Sequence, residues 1–340
     1  GEVMAIEDIT LPRENESLRF RGRLLVPAEL AFAHLRPRFE AAGYTPHMRR
    51  EDGVDVVRAA PGVFRAEERG VPWLNIILLI ATILSVFWVA AQGELYVPFW
   101  QVVGARITGS TPGGLTGQLM PTDQEFAHAL TIGALYALSL LGILGAHEMG
   151  HYIMARRHRV NVTLPYFIPL PINILGTMGA VIAMREPAPN RRVQFDIGVA
   201  GPIAGLIVAV PLMIVGLSLS EVGTQDMFLQ QVPEPVREDI VFFQEGQSLA
   251  YMGLKYLVFG EVLPRGDVDV WVHPIAFAAW AGFLVTMLNL IPVGQLDGGH
   301  VMFGLFGDKA RLVRWPIIAL LAVMALAGAL NEAGLANLPF

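Results

Sequence analysis

Long uncharged apolar stretches alternate with polar connections along most of the chain, and only the first 73 residues lack them. Leu74 to Ala91 forms the first stretch, which at 1.5 Å per residue is long enough to cross the ~30 Å hydrocarbon core of a bilayer. Stretches of this kind predict membrane-spanning helices. Four more spans are expected at about 126–157, 196–218, 271–292 and 313–330.

One further apolar stretch, residues 163–185, is broken by prolines and a glycine, so it cannot form a continuous spanning helix. Extended or irregular backbone at membrane depth is tolerated only where protein or water satisfies its polar groups. We therefore expect a re-entrant β-like hairpin packed beside the helix at 126–157, and a second re-entrant segment at 300–307. The interrupting residues are Pro165, Pro169, Pro171 and Gly176.

Residues 1–73 follow another pattern, with 11 Arg, no Lys and 12 acidic residues. Alternation predicts a strand over 18–26, followed by a helix that Pro27 opens and that runs to Ala42. A hairpin is expected over 45–59 around the favoured Asp-Gly turn. We interpret this segment as a small soluble α/β domain. Acidic residues are interleaved with the arginines, which favours a solvated face over a nucleic-acid or lipid-binding surface.

Composition supports this division of the chain. Of 340 residues, 54% are hydrophobic and only 16% are charged, which is too apolar for an ordinary soluble protein. The predicted fold class is a polytopic α-helical membrane protein with about five to six transmembrane helices, a membrane re-entrant β-like hairpin and a small N-terminal α/β domain. The chain contains no cysteine, so any transition-metal site must use histidine and carboxylate ligands.

The second apolar stretch contains the sequence His-Glu-Met-Gly-His at 147–151. Residues four apart share one face of a helix, so His147 and His151 can bind the same metal ion. Glu148 lies one position round the helix and can act as a general base on a water molecule. A charge inside an apolar helix costs roughly 2.5–3.5 kcal/mol on insertion scales and is retained mainly for function. The pattern indicates zinc hydrolase chemistry.

A second polar group follows the fourth apolar stretch. Hydrolytic zinc needs three protein ligands and an open position for water, and Asp297, flanked by Gly298 and Gly299, is the best candidate for the third ligand. Asn289 could hold the substrate backbone or the oxyanion, or it could make a plain hydrogen bond between helices. His300 could be a proton donor or a fourth ligand, although a fourth ligand would close the water position.

The distribution of Lys and Arg among short loops predicts the orientation. Basic clusters at 156–159, 185–192 and 309–314 place these loops, together with the N-terminal domain, in the cytoplasm. The loop 219–270 is then extracytoplasmic; it has nine acidic residues, and we expect an amphipathic helix at 248–259 on the membrane surface. The expected location is multi-pass in a bacterial or archaeal cell membrane.

Two motifs carry a family resemblance: HEMGH at 147–151 and NLIPVGQLDG at 289–298. Together with the glycine-rich third helix, they resemble the site-2 protease family of intramembrane zinc metalloproteases over about residues 74–330. The N-terminal module and the stretch at 176–181 look like the plant-chloroplast and cyanobacterial branch. In the third helix, the spacing of Gly201 and Gly205 favours close helix packing over a catalytic role.

The resemblance implies the cleavage of single-pass or otherwise membrane-anchored protein substrates in the lipid bilayer, and it implies no nucleic-acid partner. It also implies that the hairpin at 163–185 borders the substrate path. The family's Zn²⁺ ligands would be His147, His151 and Asp297 here, with Glu148 activating water.

We predict an intramembrane zinc metalloendopeptidase with a small cytoplasmic domain over 1–73 and a catalytic membrane domain over 74–340. A catalytically idle relative that binds a substrate or partner is one alternative, which the intact ligand and base set disfavours. A metal transporter is another; it would need polar residues continuing across the bilayer, and the spans outside the two motifs supply almost none. We expect residues 1–73 to pack against the cytoplasmic mouth or to recruit a partner.

Overall fold

The computed structural model describes residues 2–10, 18–51, 53–63, 73–110, 112–185, 188–240 and 244–332. The N-terminal module is a four-stranded antiparallel sheet with one helix, and the strand order is β1-β2-β4-β3. The predicted strand, helix and hairpin are confirmed, whereas β1 was not foreseen; Asp52 of the hairpin turn lies outside the described residues. The elements are β1 (Met4–Thr10), β2 (Leu18–Leu24), α1 (Ala28–Ala41), β3 (Tyr44–Glu51) and β4 (Val54–Pro61).

Within the part of the chain that the structure describes, four helices are long and apolar enough to cross a membrane. The expected stretch at 271–292 forms a helix of 16 residues, shorter than the ~20 residues of a typical span, so the total of five to six spans stays a prediction. The first helices are α2 (Trp73–Gly93), α3 (Phe99–Thr108), α4 (Gly114–Gln118) and α5 (Asp123–Arg157); the other two long ones are α6 (Arg191–Ser218) and α11 (Ala310–Glu332).

Helix α5 has 35 residues, and local signals set both of its ends. Thr122 accepts a hydrogen bond from the backbone of Glu125, whose side chain binds the Thr122 backbone in return, which is a capping box. At the other end, Arg156 and Arg157 lie in the last turn, where cations interact favourably with the helix dipole. Glu148 lies eight residues before Arg156, on the order of 12 Å along the helix axis.

The predicted hairpin forms from β5 (Tyr166–Pro169), which is paired antiparallel with β6 (Thr177–Val181), and its re-entrant placement in a membrane stays a prediction. It is held against α2 at both ends. Near the start, the side-chain amide of Asn75 donates to the carbonyls of Leu164 and Pro165 at 3.0 and 2.8 Å. At the tip, Gly176 has φ +75°, and a Cβ there would lie 2.6 Å from the Cα of Val86, so the tight approach to α2 requires glycine.

The segment 219–270 contains a small antiparallel pair of strands and a short helix on either side of an ion-paired core. Lys255 in α8 (Leu249–Phe259) is fully buried, and its amine pairs with Glu245 and Asp269 at 3.1 and 3.2 Å, which offsets the cost of burying the charge. The helix predicted at 248–259 is present and one of its faces packs on protein, whereas its position on the membrane surface stays a prediction. The elements here are β7 (Glu221–Thr224), α7 (Gln225–Leu229), α8 (Leu249–Phe259) and β8 (Val268–Trp271).

Two more helices, α9 (Pro274–Asn289) and α10 (Asp297–Phe306), complete the membrane portion. Both pack against α6, which also packs along α5, so α6 lies at the centre of the bundle. The segment 300–307, expected to be re-entrant, is mostly the regular helix α10. This arrangement brings the middle of α6, the end of α5 and the start of α10 together.

Candidate metal centre

Three donor atoms from two distant parts of the chain converge near the end of α5. The Nε2 atoms of His147 and His151 are 3.2 Å apart, and Oδ2 of Asp297 lies 3.1 and 3.2 Å from them. Both histidines are buried, at 3% and 5% exposure, and Asp297 is partly buried. The structure thus brings together the three residues that the sequence proposed as ligands.

The spacing of these atoms fits a tetrahedral metal site. Zinc binds imidazole nitrogen and carboxylate oxygen at about 2.0–2.2 Å, so two ligand atoms of a tetrahedron are about 3.3 Å apart. The observed triangle of 3.1–3.2 Å is close to that value. The Nε2 atoms of the two imidazoles and one carboxylate oxygen face a common centre, and a cation at that centre could bind all three. The residues present therefore fit Zn²⁺, with one tetrahedral position left open.

A hydrogen bond from α5 to α6 fixes the tautomer of His151. Its Nδ1–H donates to the backbone carbonyl of Ile197 at 2.7 Å. With the proton on Nδ1, the lone pair of Nε2 points towards His147 and Asp297. Partners of this kind orient a ligating histidine and raise its basicity.

The glycines of α6 make room for the histidine rings. A Cβ at Gly201 would overlap Nε2 of His151, and one at Gly205 would lie 3.3 Å from the ring of His147. On the facing helix, a Cβ at Gly150 would lie 2.5 Å from the carbonyl oxygen of Ala200. The predicted role of Gly201 and Gly205 in helix packing is thus confirmed, and Gly201 in addition leaves the space that the ring of His151 occupies.

Asp297 is brought to the histidines by a tight turn between α9 and α10. A Cβ at Gly298 would overlap the carbonyl oxygen of Leu290, and a Cβ at Gly299 would lie 2.5 Å from the carbonyl oxygen of Gly294. The two glycines therefore allow the close backbone approach expected of them. Asp297 itself is the first residue of α10.

Glu148 borders a cavity of about 670 Å³ beside the three donor atoms. Its carboxylate accepts a hydrogen bond from the backbone N–H of Ile182, just after β6, and the residue is 6% exposed. Asn289, the last residue of α9, lines the same cavity. The remaining lining comes mainly from residues 180–185 of the hairpin, Gln194, Ile197 and Gly198 of α6, and Gln295, Leu296 and His300.

His300 also faces this cavity, but it is not one of the three converging residues. The side-chain amide of Gln194 donates to Nδ1 of His300 at 2.8 Å and so links α6 to α10. The geometry gives no support to a fourth protein ligand. Sequence reasoning missed Gln194, although it lies four and seven residues before Gly198 and Gly201, a spacing that places all three on one helix face.

The sequence model of peptidase family M50 matches residues 135–329, a range that includes both motifs and every residue of this site. The chain belongs to peptidase family M50. This match confirms the resemblance to site-2 proteases. No solved structure gives a significant match.

Several curated relatives of this M50 chain are plant proteins. It is 36% identical over 192 residues to "Probable zinc metalloprotease EGY1, chloroplastic" of Arabidopsis thaliana, which covers 56% of this chain and 33% of the relative. It is 30% identical over 310 residues to the EGY1 protein of Oryza sativa subsp. japonica, covering 87% of this chain and 51% of the relative. The chain thus spans a third to a half of the length of these two relatives.

A similar relation holds for "Probable zinc metalloprotease EGY2, chloroplastic" of Oryza sativa subsp. indica, which is 30% identical over 195 residues, or 57% of this chain and 33% of the relative. These names support the plant branch of M50. They give no support to the expected location in a bacterial or archaeal cell membrane, because the named relatives are chloroplastic. The apolar helices and these relatives together support a multi-pass membrane protein.

Proposed function

We propose that this protein is an intramembrane zinc metalloendopeptidase that hydrolyses peptide bonds within the transmembrane segments of single-pass or otherwise membrane-anchored proteins. The observation that carries the proposal is the triangle of donor atoms with Glu148 beside it, near the end of α5, a helix that is apolar enough to cross a membrane. Membership of M50 supports the same reaction class.

The chain would hold Zn²⁺ through His147, His151 and Asp297. When bound, zinc polarises the scissile carbonyl and lowers the pKa of water from ~15.7 to ~7. Glu148 accepts a proton from the attacking water and later donates it to the departing amine nitrogen as the C–N bond breaks. The Ile182 N–H keeps the carboxylate of Glu148 aimed at the cavity.

Asn289 is the proposed fourth participant from the chain. Its side chain borders the cavity at the end of α9, a position from which an amide N–H can donate to the carbonyl oxygen of the substrate. Such a donor would hold the substrate backbone and stabilise the negative charge that develops on that oxygen. Hydrogen bonding between helices is the alternative role for Asn289.

The outer edge of β6 is the proposed docking site for the substrate. The peptide bonds of a transmembrane helix are shielded by their own hydrogen bonds, so the helix must unwind and its backbone groups must find new partners. The carbonyl of Ala183 pairs with the N–H of Thr163, so by the two-residue period of a strand Ala180 and Ile182 point their backbone groups away from β5. Both residues line the cavity, and because the N–H of Ile182 binds Glu148, the N–H of Ala180 is the donor that this edge offers to a substrate strand.

Substitution of Ala180 by Pro is expected to lower cleavage at least about tenfold, the equivalent of one hydrogen bond of ~1.4 kcal/mol, while zinc stays bound. The proline removes an outward N–H but leaves the pairing of β6 with β5. The measurement is the cleavage rate of a single-pass substrate alongside zinc content.

Val181→Pro is the matched control. The backbone of residue 181 points towards β5, so this substitution should disrupt the hairpin itself. Wild-type cleavage by the Ala180→Pro variant would contradict docking at this edge. Loss of zinc from that variant would mean that β6 supports the metal site instead.

Removal of the metal tests the proposed function as a whole. Purified protein in detergent should cleave a single-pass model substrate, lose this activity on treatment with a zinc chelator, and regain it on return of Zn²⁺. Zinc binding without cleavage of any single-pass substrate would favour an idle relative. Uptake of zinc into vesicles that contain the protein would favour a transporter.

We also infer that residues 1–73 form a cytoplasmic domain and that residues 74–340 form the catalytic membrane domain. The basic clusters near the C-terminal end of α5 and at the start of α6 support this orientation. The metal-side ends of α5 and α9 would then face the cytoplasm, and the segment 219–270 would lie on the opposite side.

A further inference from the structure

The sheet of the N-terminal module has one face that α1 covers. The ring of Phe39 in α1 lies edge-on to Phe20 in β2, with 5.9 Å between centroids. Phe20 is paired with Val57 in β4, which is paired with Met48 in β3, so all three lie on the helix-covered face. Residues one position away along each strand lie on the other face.

Arginines collect on that second face, called here the arginine face. Arg19 is opposite Arg58 on β4, which in turn is opposite His47 on β3. Two residues further along the strands, Arg21 on β2 and Arg49 on β3 are both opposite Val56 on β4. The arginine face thus consists of the side chains of Arg19, Arg21, Arg23, Arg49 and Arg58, which belong to three strands that pair side by side.

The arginine face is positive although its module is not. Residues 1–73 have 11 Arg against 12 acidic residues, so the module as a whole is nearly neutral. On the arginine face the register places the carboxylates Asp8 and Glu51 among five arginines, while Glu7 occupies a bulge in β1. Glu51 is shared by Arg19 and Arg58. Arginines and acidic residues that are interleaved along the chain are therefore separated in space by the fold of the sheet.

In the middle of the arginine face, arginine side chains surround a buried apolar residue. Val56 lies on this face and is nevertheless only 1% exposed. Its neighbours Arg21 and Arg49 have long aliphatic stems that can cover it while their guanidinium groups stay in solvent. Within residues 2–10, 18–51 and 53–63, neither Arg21 nor Arg23 has an ion-pair partner.

We propose that the arginine face docks on anionic lipid headgroups of the leaflet in which α2 begins. The short connection between the module and α2 favours a membrane partner over a soluble one. Only nine residues, 64–72, separate the described part of the module from Trp73, which limits its distance from the membrane to at most roughly 30 Å. Arginine binds phosphate oxygens through two parallel N–H groups, and a broad sheet face presents several such groups to one surface. The proposal does not depend on the peptidase reaction.

The absence of cysteine from the chain allows a direct test by site-specific labelling. The full chain, with a fluorophore on Ala5→Cys, is placed in lipid nanodiscs with a headgroup quencher, made of phosphatidylcholine alone or mixed with phosphatidylglycerol. Ala5 is exposed and opposite Arg23, whereas Ala33→Cys on the exposed side of α1 is the control position. Quenching is expected at residue 5 in the anionic discs only, with little at residue 33.

Removal of two arginines should weaken docking by a predictable factor. Each arginine near an anionic surface contributes roughly fivefold, so Arg21→Gln with Arg23→Gln should reduce the ratio of docked to undocked module about 25-fold. The matched control is Arg36→Gln with Arg38→Gln, which removes the same charge from α1 and should leave quenching unchanged. In the unsubstituted chain, ~1 M salt, at which the Debye length is about 3 Å, should also abolish quenching.

Equal quenching at residues 5 and 33, or quenching that is the same in neutral and anionic discs, would overturn the proposal. So would binding of a labelled oligouridylate to the chain without any quenching in anionic discs, which would assign the arginine face to nucleic acid. Persistence of quenching in the Arg21→Gln, Arg23→Gln variant at wild-type level would equally contradict it.

Discussion

Replacement of Glu148 by Gln is expected to lower cleavage by about 10²–10⁴-fold, the usual contribution of a general base, with no change in bound zinc. The amide has the shape of the carboxylate and can still accept the hydrogen bond from Ile182, so the fold and the three donor atoms should persist. It cannot accept a proton from water. The measurement is the single-turnover cleavage rate of a single-pass substrate, together with zinc per chain in the same preparation.

A matched control is Gln194→Leu, which changes a cavity residue that does not belong to the proposed base or ligand set. Its cleavage should fall less than that of Glu148→Gln, because it disturbs only the link between α6 and His300. Cleavage by Glu148→Gln at a rate near wild type would show that another group accepts the proton.

Substitution of Gly201 by Ala should deprive the protein of zinc, with a loss of affinity of about 100-fold or more. Changes to residues that support metal ligands usually cost about 10–100-fold in affinity, and here the added methyl group would overlap a ligand atom, Nε2 of His151. Alanine favours a helix over glycine by about 1 kcal/mol, so α6 itself should not be weakened. Zinc titration with a competing chelator measures the effect.

Alanine substitutions at two other glycines provide a comparison for the zinc affinity of Gly201→Ala. A Cβ at Gly142 in α5 would meet no atom within 4 Å, so Gly142→Ala should bind zinc like wild type. A Cβ at Gly205 would lie 3.3 Å from His147, so Gly205→Ala should have an intermediate effect. Equal zinc affinity in all three variants would contradict the idea that Gly201 reserves the space for the ring.

Local patterns in the sequence predict much of this structure. Uninterrupted apolar length locates α2, α5 and α6 to within a few residues, because a spanning helix must bury its own backbone polar groups. The prolines at 165–171 predict the hairpin by excluding a helix there. Spacing by four residues predicts that His147 and His151 share a face, because helix geometry alone decides it.

Other features depend on contacts between distant segments, and local patterns do not contain them. The overlap of a Cβ at Gly201 with His151 arises from how α5 packs on α6, so sequence spacing indicates close packing but not which ring uses the space. Ile182, whose N–H binds Glu148, lies 34 positions after Glu148 in the chain. Likewise, the arginines of β2 share a sheet face with those of β3 and β4 because β2 pairs with the distant strand β4.

The central expectation for this protein is one zinc ion held by the imidazoles of His147 and His151 and the carboxylate of Asp297. X-ray absorption at the zinc edge, measured on wild type and on Asp297→Ala with zinc per chain determined in both, tests this most directly. Wild type should contain about one zinc per chain with nitrogen and oxygen ligands at about 2.0–2.2 Å. Asp297→Ala should lose most of the metal or change its ligand shell. A wild-type protein without zinc, or an Asp297→Ala variant with the full amount and an unchanged spectrum, would contradict the account.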